Sequence, residues 1–120
     1  MDWKSGRFDN ASMANQKKQK AVRHYVKEWR KKRELTQERL AERIERSRGL
    51  ISQYESGETE LSEETIYALA DAFNIEPGDI LNVNPEKEGL LVEITDALRG
   101  KSPAVQAEAL GFVRGLLRRA

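Results

Sequence analysis

The stretch QERLAERIERSRGLISQYES, residues 37–56, decides the fold that we predict for this 120-residue chain. Its apolar residues recur at helical spacing in two groups, Leu40, Ala41 and Ile44, then Leu50, Ile51 and Tyr54. A hydroxyl residue precedes each group, Thr36 and Ser47, and can accept a hydrogen bond from an unpaired backbone N–H at a helix start. The stretch therefore predicts two short helices, at about 36–44 and 47–55, separated by a tight turn.

Helical spacing continues on both sides of this pair. It predicts a first helix over about 18–33, a helix that begins after Ser62 and ends at Asn74, and a single turn opened by Pro77 and running through Leu81. A polar break at 82–89 is a candidate linker. Two more amphipathic helices follow it, the second opened by Ser102 and Pro103. Because no segment alternates as a strand does, the predicted fold is all-α.

These patterns divide the chain into three predicted parts. Residues 1–17 form a flexible basic N-terminal arm, 18–82 a helical domain, and 83–120 a C-terminal helical hairpin. Because amphipathic helices must bury their apolar stripes, we expect residues 88–119 to form a homodimer. Packing on the chain's own surface and docking of another protein are the alternatives.

Composition excludes several classes of function. The chain has no cysteine and one histidine, His24, so we expect no catalytic residues, no metal site and no cofactor, and the protein is not predicted to be an enzyme. No stretch approaches about 20 apolar residues, which argues against a membrane span. The polar N-terminus lacks the apolar core of a signal peptide, so we expect a cytoplasmic protein.

Charge is sorted along the chain although the net charge is only +1. Residues 1–33 hold eleven Lys and Arg against three Asp and Glu, whereas residues 55–96 hold twelve acidic residues and one lysine. Such sorting predicts one electropositive and one electronegative region. A polyanion can therefore meet the basic region despite the near-neutral total.

Two short helices joined by a tight turn are typical of a helix-turn-helix, whose second helix enters the major groove of DNA. On that second helix the set facing outward is Ser47, Arg48, Gly49, Leu50 and Gln53. Arg48 can bind guanine O6 and N7, Gln53 can pair with adenine N6 and N7, and Leu50 can contact a thymine methyl. Gly49 lets the backbone come closer to the DNA.

The chain resembles the Cro/repressor (XRE-like) helix-turn-helix family over residues 26–81. The matching pieces are Arg30, Thr36-Gln37, Leu40-Ala41, Ser47, Ile51-Ser52, Glu55-x-Gly57, Leu69-Ala70 and Ile75-x-Pro77-x-x-Ile80-Leu81. The resemblance implies a five-helix domain that binds operator DNA as a dimer, usually as a repressor. It also implies that Gln37 bonds a phosphate and that Arg30 pairs with Glu55 inside the domain.

Three features depart from the family pattern. Glu45 stands where the turn usually has glycine, and Arg46 stands where an apolar residue is usual, so we expect its charged end to reach outward. The loop after the second motif helix is acidic, through Glu58, Glu60, Glu63 and Glu64, where relatives often place basic residues. Either that loop tilts away from the DNA, or docking differs, or the N-terminal arm compensates.

The sequence therefore predicts a DNA-binding transcriptional regulator. We expect a dimeric repressor that binds double-stranded DNA and is located at the nucleoid. The alternative is an antitoxin-like module that binds a protein partner through its C-terminal helices. The candidate DNA-binding residues are Thr36, Gln37, Ser47, Arg48, Gly49, Leu50, Gln53, Lys27 and Lys31. Lys32 and Arg33 are further candidates for phosphate contacts.

Overall fold

The computed structural model describes residues 23–120, which contain seven helices and no strand. The helices are α1 (Val26–Lys32), α2 (Gln37–Ile44), α3 (Arg48–Ser56), α4 (Glu63–Phe73), α5 (Asp79–Asn82), α6 (Gly89–Leu98) and α7 (Pro103–Arg119). The chain separates into two compact units, one ending at Lys87 and one running Glu88–Ala120. The all-α prediction is confirmed. None of the helices within 23–120 is long and apolar enough to cross a membrane.

The turn between α2 and α3 has the geometry that the sequence predicts. Thr36 and Ser47 cap the two helices, their hydroxyl oxygens accepting from the N–H groups of Arg39 and Leu50 at 3.0 and 3.1 Å. Glu45 ends α2 in the left-handed conformation, with φ 58°. A residue with a side chain therefore occupies a backbone conformation that glycine adopts at lower cost.

Arg46 differs from its predicted behaviour. Its side chain is half-buried, and its guanidinium donates to the carbonyl of Ile44 at 3.1 Å. That carbonyl lies in the last turn of α2, where unpaired acceptors and the negative end of the helix dipole favour a cation. The residue that replaces an apolar one in the family pattern therefore stabilises the end of α2.

The core of the first unit forms where α1 and α2 each pack against α3 and α4. Helix α5 closes against α4. The buried apolar side chains here are Val26, Trp29, Leu40, Ala41, Ile44, Ile51, Tyr54, Leu69, Ala70, Phe73, Ile75 and Ile80. Both predicted stripes of residues 37–56 thus face the core, with Leu50 half-buried at the edge.

The first helix is shorter than predicted. Its predicted residues 18–22 lie outside the described chain, and residues 23–25 precede the helix, which begins at Val26. The N–H of Tyr25 donates to the carbonyl of Ile80 at 2.8 Å, and the N–H of Val26 donates to His24 Nδ1 at 3.4 Å. Because these tertiary and side-chain bonds use the amides of Tyr25 and Val26, residues 23–25 are not helical.

The turn that opens at Pro77 is also displaced. Helix α5 begins at Asp79 rather than at Pro77, and Pro77 with Gly78 forms the turn before it. The indole Nε1–H of Trp29 donates to the carbonyls of Asp79 and Val83 at 3.1 and 3.0 Å. This buried donor ties α5 to α1.

The second unit consists of α6 and α7. Gly100, with φ 80°, lies in the turn between them, and Ser102 caps α7 with Pro103 as its first residue, as predicted. The side-chain amide of Gln106 donates to the carbonyl of Leu98 at 2.9 Å, which ties the start of α7 to the end of α6. Val92 is buried on α6, whereas no residue of α7 is buried.

Replacing Glu45 by glycine is expected to raise the free energy of unfolding by about 0.5–1 kcal/mol. The substitution removes the cost of the left-handed backbone at φ 58°, and the greater freedom of glycine in the unfolded chain offsets part of the gain. Urea unfolding measures the change. The matched control is Glu42→Gly, an exposed position inside α2, where we expect a loss of about 1 kcal/mol. A loss at both positions would contradict the strain argument.

Candidate nucleic-acid interface

Helix α3 and its N-cap present most of the predicted site residues to solvent. Ser47, Arg48, Gly49 and Gln53 are exposed and Leu50 is half-buried. The opposite side of the same helix is anchored in the core through Ile51 and Tyr54. A surface helix fixed in this way holds its outward side chains on a rigid support, which a binding site requires.

The two capping hydroxyls have a structural role in addition to their predicted one. The oxygens of Thr36 and Ser47 accept from the N–H groups of their own helices, as described above. A hydroxyl that accepts through oxygen can still donate its proton. Each cap can therefore donate to an external anion without leaving its helix.

Gln37 of α2 is held by a buried ion pair between α1 and α3, so the three helices are joined at this point. Glu55 of α3 binds Arg30 of α1 through two bonds, Nε to Oε2 at 2.6 Å and one of the terminal nitrogens to Oε1 at 3.2 Å. The side-chain amide nitrogen of Gln37 donates to Glu55 Oε1 at 3.1 Å. The predicted Arg30–Glu55 pair is present, and it also fixes the orientation of the Gln37 amide.

Arg48 has an acidic neighbour that the sequence analysis did not single out. Its Nε lies 3.8 Å from Oε2 of Glu38 on α2, and both side chains are more than 60% exposed. An ion pair this exposed contributes little to stability. Arg48 can therefore leave Glu38 for a stronger acceptor. In the sequence, the carboxylate of Glu38 in the first turn of α2 is the one sign of this contact.

Gln53 is bonded to the loop after α3. Its Oε1 accepts from the hydroxyl of Thr59 at 2.9 Å, and its backbone carbonyl accepts from the N–H of the same residue at 3.2 Å. The sequence drew attention to this loop through its charge alone, and the contact of Thr59 with Gln53 was not predicted. A hydroxyl residue in an acidic loop is a weak sequence signal, because such residues are common in loops.

The basic side chains in α1 and at its C-cap differ in whether they face solvent or bind within the protein. Lys27 and Lys31 are exposed and lie one helical turn apart, so they share one side of α1. Arg33 is used inside the protein: its Nε donates to the carbonyl of Phe73 at 2.8 Å, and its guanidinium lies 5.3 Å from the centre of the Trp29 ring. The prediction of a phosphate contact therefore fits Lys27 and Lys31 better than Arg33.

His24 lies half-buried between the start of α1 and the end of α3. Burial lowers the pKa of His24 from its ordinary value, and a hydrogen bond to the backbone of Tyr54 opposes that shift. The neutral imidazole is thus favoured, in keeping with Nδ1 accepting from the N–H of Val26. The histidine has a packing role here.

Comparison with known families agrees with this geometry. The family described as Helix-turn-helix matches residues 26–80, which span α1 to the second residue of α5. The match supports the Cro/repressor type of helix-turn-helix for residues 26–80. A helix-turn-helix domain supports DNA binding in general, and α3 is its second motif helix. No curated protein and no solved structure gives a significant match to the chain.

Proposed function

We propose that the protein is a sequence-specific regulator that inserts α3 into the major groove of double-stranded DNA. The observation that carries the proposal is the polar, exposed N-terminal half of α3 on a helix whose other side is buried. Arg48 is the first residue of α3, the end that lies deepest in the groove in helix-turn-helix complexes. Its planar guanidinium matches guanine O6 and N7, and half-buried Leu50 suits a thymine methyl.

The acidic loop bears on how the domain docks. Thr59, which is bonded to Gln53, lies between Glu58 and Glu60, both exposed. The C-terminal half of α3 is thus adjacent to negative charge that repels phosphates. This charge favours docking through the N-terminal end of α3, with the acidic loop held away from the DNA phosphates.

The first 22 residues carry a net positive charge, whereas residues 23–87 carry a net negative one. Residues 23–87 hold eleven basic and fourteen acidic residues, whereas residues 1–22 add five basic and two acidic ones. The predicted arm, residues 1–17, lies outside the described residues. We propose that the arm and the exposed Lys27 and Lys31 supply the electrostatic share of binding.

A homodimer through residues 88–119 is the second part of the proposal. Six large apolar side chains of α7 are 41–70% exposed: Val105, Leu110, Phe112, Val113, Leu116 and Leu117. At about 100° per residue they cover roughly half of the helix circumference as one continuous face. An apolar face of this size on a surface marks an interaction site.

The charges beside this face favour a second copy in antiparallel orientation. Glu108 and Arg119 are eleven residues apart, about three turns at 3.6 residues per turn, so they share one edge of α7. In an antiparallel pair of helices, like edges face each other. Glu108 of each copy then lies level with Arg119 of the other, and Leu110 lies level with Leu117 of the other. The surface is thereby complementary to itself, as a twofold interface requires.

The regulatory action proposed is repression by occupancy of an operator that overlaps a promoter, at the nucleoid in the cytoplasm. A twofold dimer suits two half-sites about one helical turn apart. The alternative occupant of residues 88–119 is a protein partner, as in an antitoxin. A chain that is monomeric alone and co-purifies with one defined polypeptide would favour that alternative.

Selection of DNA sites by the full chain tests the proposed function. We expect the wild type to enrich one motif from a random duplex pool, with binding that weakens as salt rises. Arg48→Ala is expected to lose about 1–3 kcal/mol of discrimination at one base pair while the rest of the motif is retained. Arg39→Ala, an exposed arginine of α2, is the control. Enrichment of no motif at low salt would refute the proposal.

Gly49→Ala separates fold stability from DNA contact. Gly49 is helical, and a Cβ there would meet nothing closer than the Ser47 hydroxyl oxygen at 4.0 Å. We therefore expect alanine to raise the free energy of unfolding by about 0.5 kcal/mol in urea titration. If DNA approaches the backbone at this point, affinity for the selected motif falls although the fold is more stable. Unchanged affinity would show that Gly49 makes no close DNA contact.

A further inference from the structure

Thr59 holds Gln53 at two points. Its hydroxyl donates to the Gln53 side-chain oxygen at 2.9 Å, and its N–H donates to the Gln53 backbone carbonyl at 3.2 Å. Gln53 itself is exposed on α3, on the helix that the proposed function places in the major groove. The side chain of Gln53 is thus oriented by the protein before any DNA is present.

The loop that carries Thr59 is itself organised by the end of α3. Gly57 ends the helix with φ 87°, a conformation that glycine adopts without strain. The Ser56 hydroxyl donates to the Gln53 carbonyl at 3.2 Å, and the N–H of Glu58 donates to the Ser56 hydroxyl oxygen at 3.3 Å. These bonds set the position of Thr59, so its contact with the Gln53 amide belongs to the folded structure of the loop.

The contact determines which half of the amide faces outward. A glutamine amide has one acceptor oxygen and an NH₂ group with two donors. Pairing with adenine uses both, because the oxygen accepts from N6 and the nitrogen donates to N7. With one lone pair of the oxygen bound to Thr59 and the oxygen held towards the loop, Gln53 presents its NH₂ group to DNA more readily than its oxygen. Guanine presents two acceptors in the major groove, O6 and N7, whereas the N6 amine of adenine would face a second donor.

We propose that Thr59 is a specificity-determining positioning residue that makes Gln53 a donor and directs it to guanine in preference to adenine. This inference rests on the proposed function, and it reverses the adenine pairing that the sequence alone predicts for Gln53. The threonine acts through Gln53 and needs no contact with the DNA.

Site selection with variants of the full chain tests the inference. Gln53→Ala identifies the base pair that depends on residue 53. At that pair we expect the wild type to prefer guanine to adenine by about tenfold, within the range of one good base contact. Thr59→Val removes the hydroxyl and frees the Gln53 oxygen, so the preference is expected to fall below about threefold. Thr59→Ser keeps the hydroxyl and is expected to retain the wild-type preference.

Two controls separate this role from a general effect on folding. Glu58→Ala alters the same loop without touching the amide, and it is expected to leave the base preference unchanged. The NMR signals of the Gln53 side-chain amide report its mobility without DNA, and we expect Thr59→Val to increase that mobility while circular dichroism stays the same.

Each alternative result has a definite meaning. Adenine selected by the wild type at the Gln53-dependent pair, or an unchanged preference in Thr59→Val, would overturn the inference and leave the proposed function standing. Enrichment of no motif by the wild type would overturn both.

Discussion

Glu55→Ala is expected to lower the free energy of unfolding by about 3–5 kcal/mol, the cost of leaving a buried charge without its partner. The side chains of Arg30 and Glu55 are 12% and 6% exposed. Without Glu55 the guanidinium keeps its bond from Nη1 to the carbonyl of Leu35, at 2.9 Å, but loses both bonds to the carboxylate. The measurement is urea unfolding followed by circular dichroism.

A loss of this size can unfold a small domain, so the test needs variants that stay folded. Arg30→Met combined with Glu55→Leu removes both charges and fills the same space, and we expect it to recover most of the stability. Glu58→Ala, an exposed carboxylate three residues away, is expected to stay within about 0.5 kcal/mol of wild type. If Glu55→Ala also stays within 1 kcal/mol, the ion pair is not what holds α1 to α3.

The same pair has a consequence for DNA binding. Because Gln37 donates to Glu55, the double variant Arg30→Met/Glu55→Leu leaves a folded domain with an unheld Gln37 amide. A fall in DNA affinity in that variant, at nearly wild-type stability, would assign the ion pair a role in orienting Gln37.

The helix-turn-helix could be predicted from sequence because local signals agree there. The apolar spacing of residues 37–56 and the hydroxyls of Thr36 and Ser47 specify the same boundaries, and the structure has caps at both residues. By contrast, α1 begins later than its spacing indicates, because the N–H of Tyr25 pairs with Ile80, a residue far away in sequence. Periodicity reports which side of a helix is apolar, and it carries no information on such a tertiary bond.

The site was predicted less completely than the fold. Exposure of Arg48, Gly49 and Gln53 follows from their positions on a helix whose other side is buried. The contacts of Arg48 with Glu38 and of Gln53 with Thr59 join different elements, so they depend on how the turn and the loop fold. The contact with Thr59 changes the expected chemistry of Gln53, because the side-chain oxygen already accepts a hydrogen bond. The residue type alone is therefore insufficient to predict which base a side chain prefers.

Phe112→Glu combined with Leu116→Glu is expected to convert the proposed dimer to a monomer. Both side chains lie on the exposed apolar face of α7, at 70% and 43% exposure, so the change introduces charge without disturbing a core. Sedimentation equilibrium measures the oligomeric state. Ala104→Glu with Ala107→Glu places the same two charges on the opposite side of α7, where we expect the dimer to persist.

The monomeric variant is also expected to lose most of its affinity for a two-half-site operator. Linking two DNA-binding domains raises the affinity for DNA by about 10²–10⁴-fold through effective concentration. This gain disappears when the two domains separate. Affinity for a single half-site should be unchanged, which distinguishes loss of dimerisation from damage to α3. Equal loss on both DNAs would contradict this interpretation.

Charge reversal distinguishes the antiparallel arrangement from other dimers. In that register, Glu108→Arg or Arg119→Glu alone places like charges level with each other. Each variant is expected to weaken the dimer several-fold. An exposed ion pair is worth about 0.2–1 kcal/mol, and the twofold dimer contains this pair twice. The combined reversal restores opposite charges at both places and should restore the dimer. Failure of the combined variant to recover would exclude this register. Because Glu108 and Arg119 are exposed on α7, the recovery can be attributed to contact between copies rather than to repair of the fold.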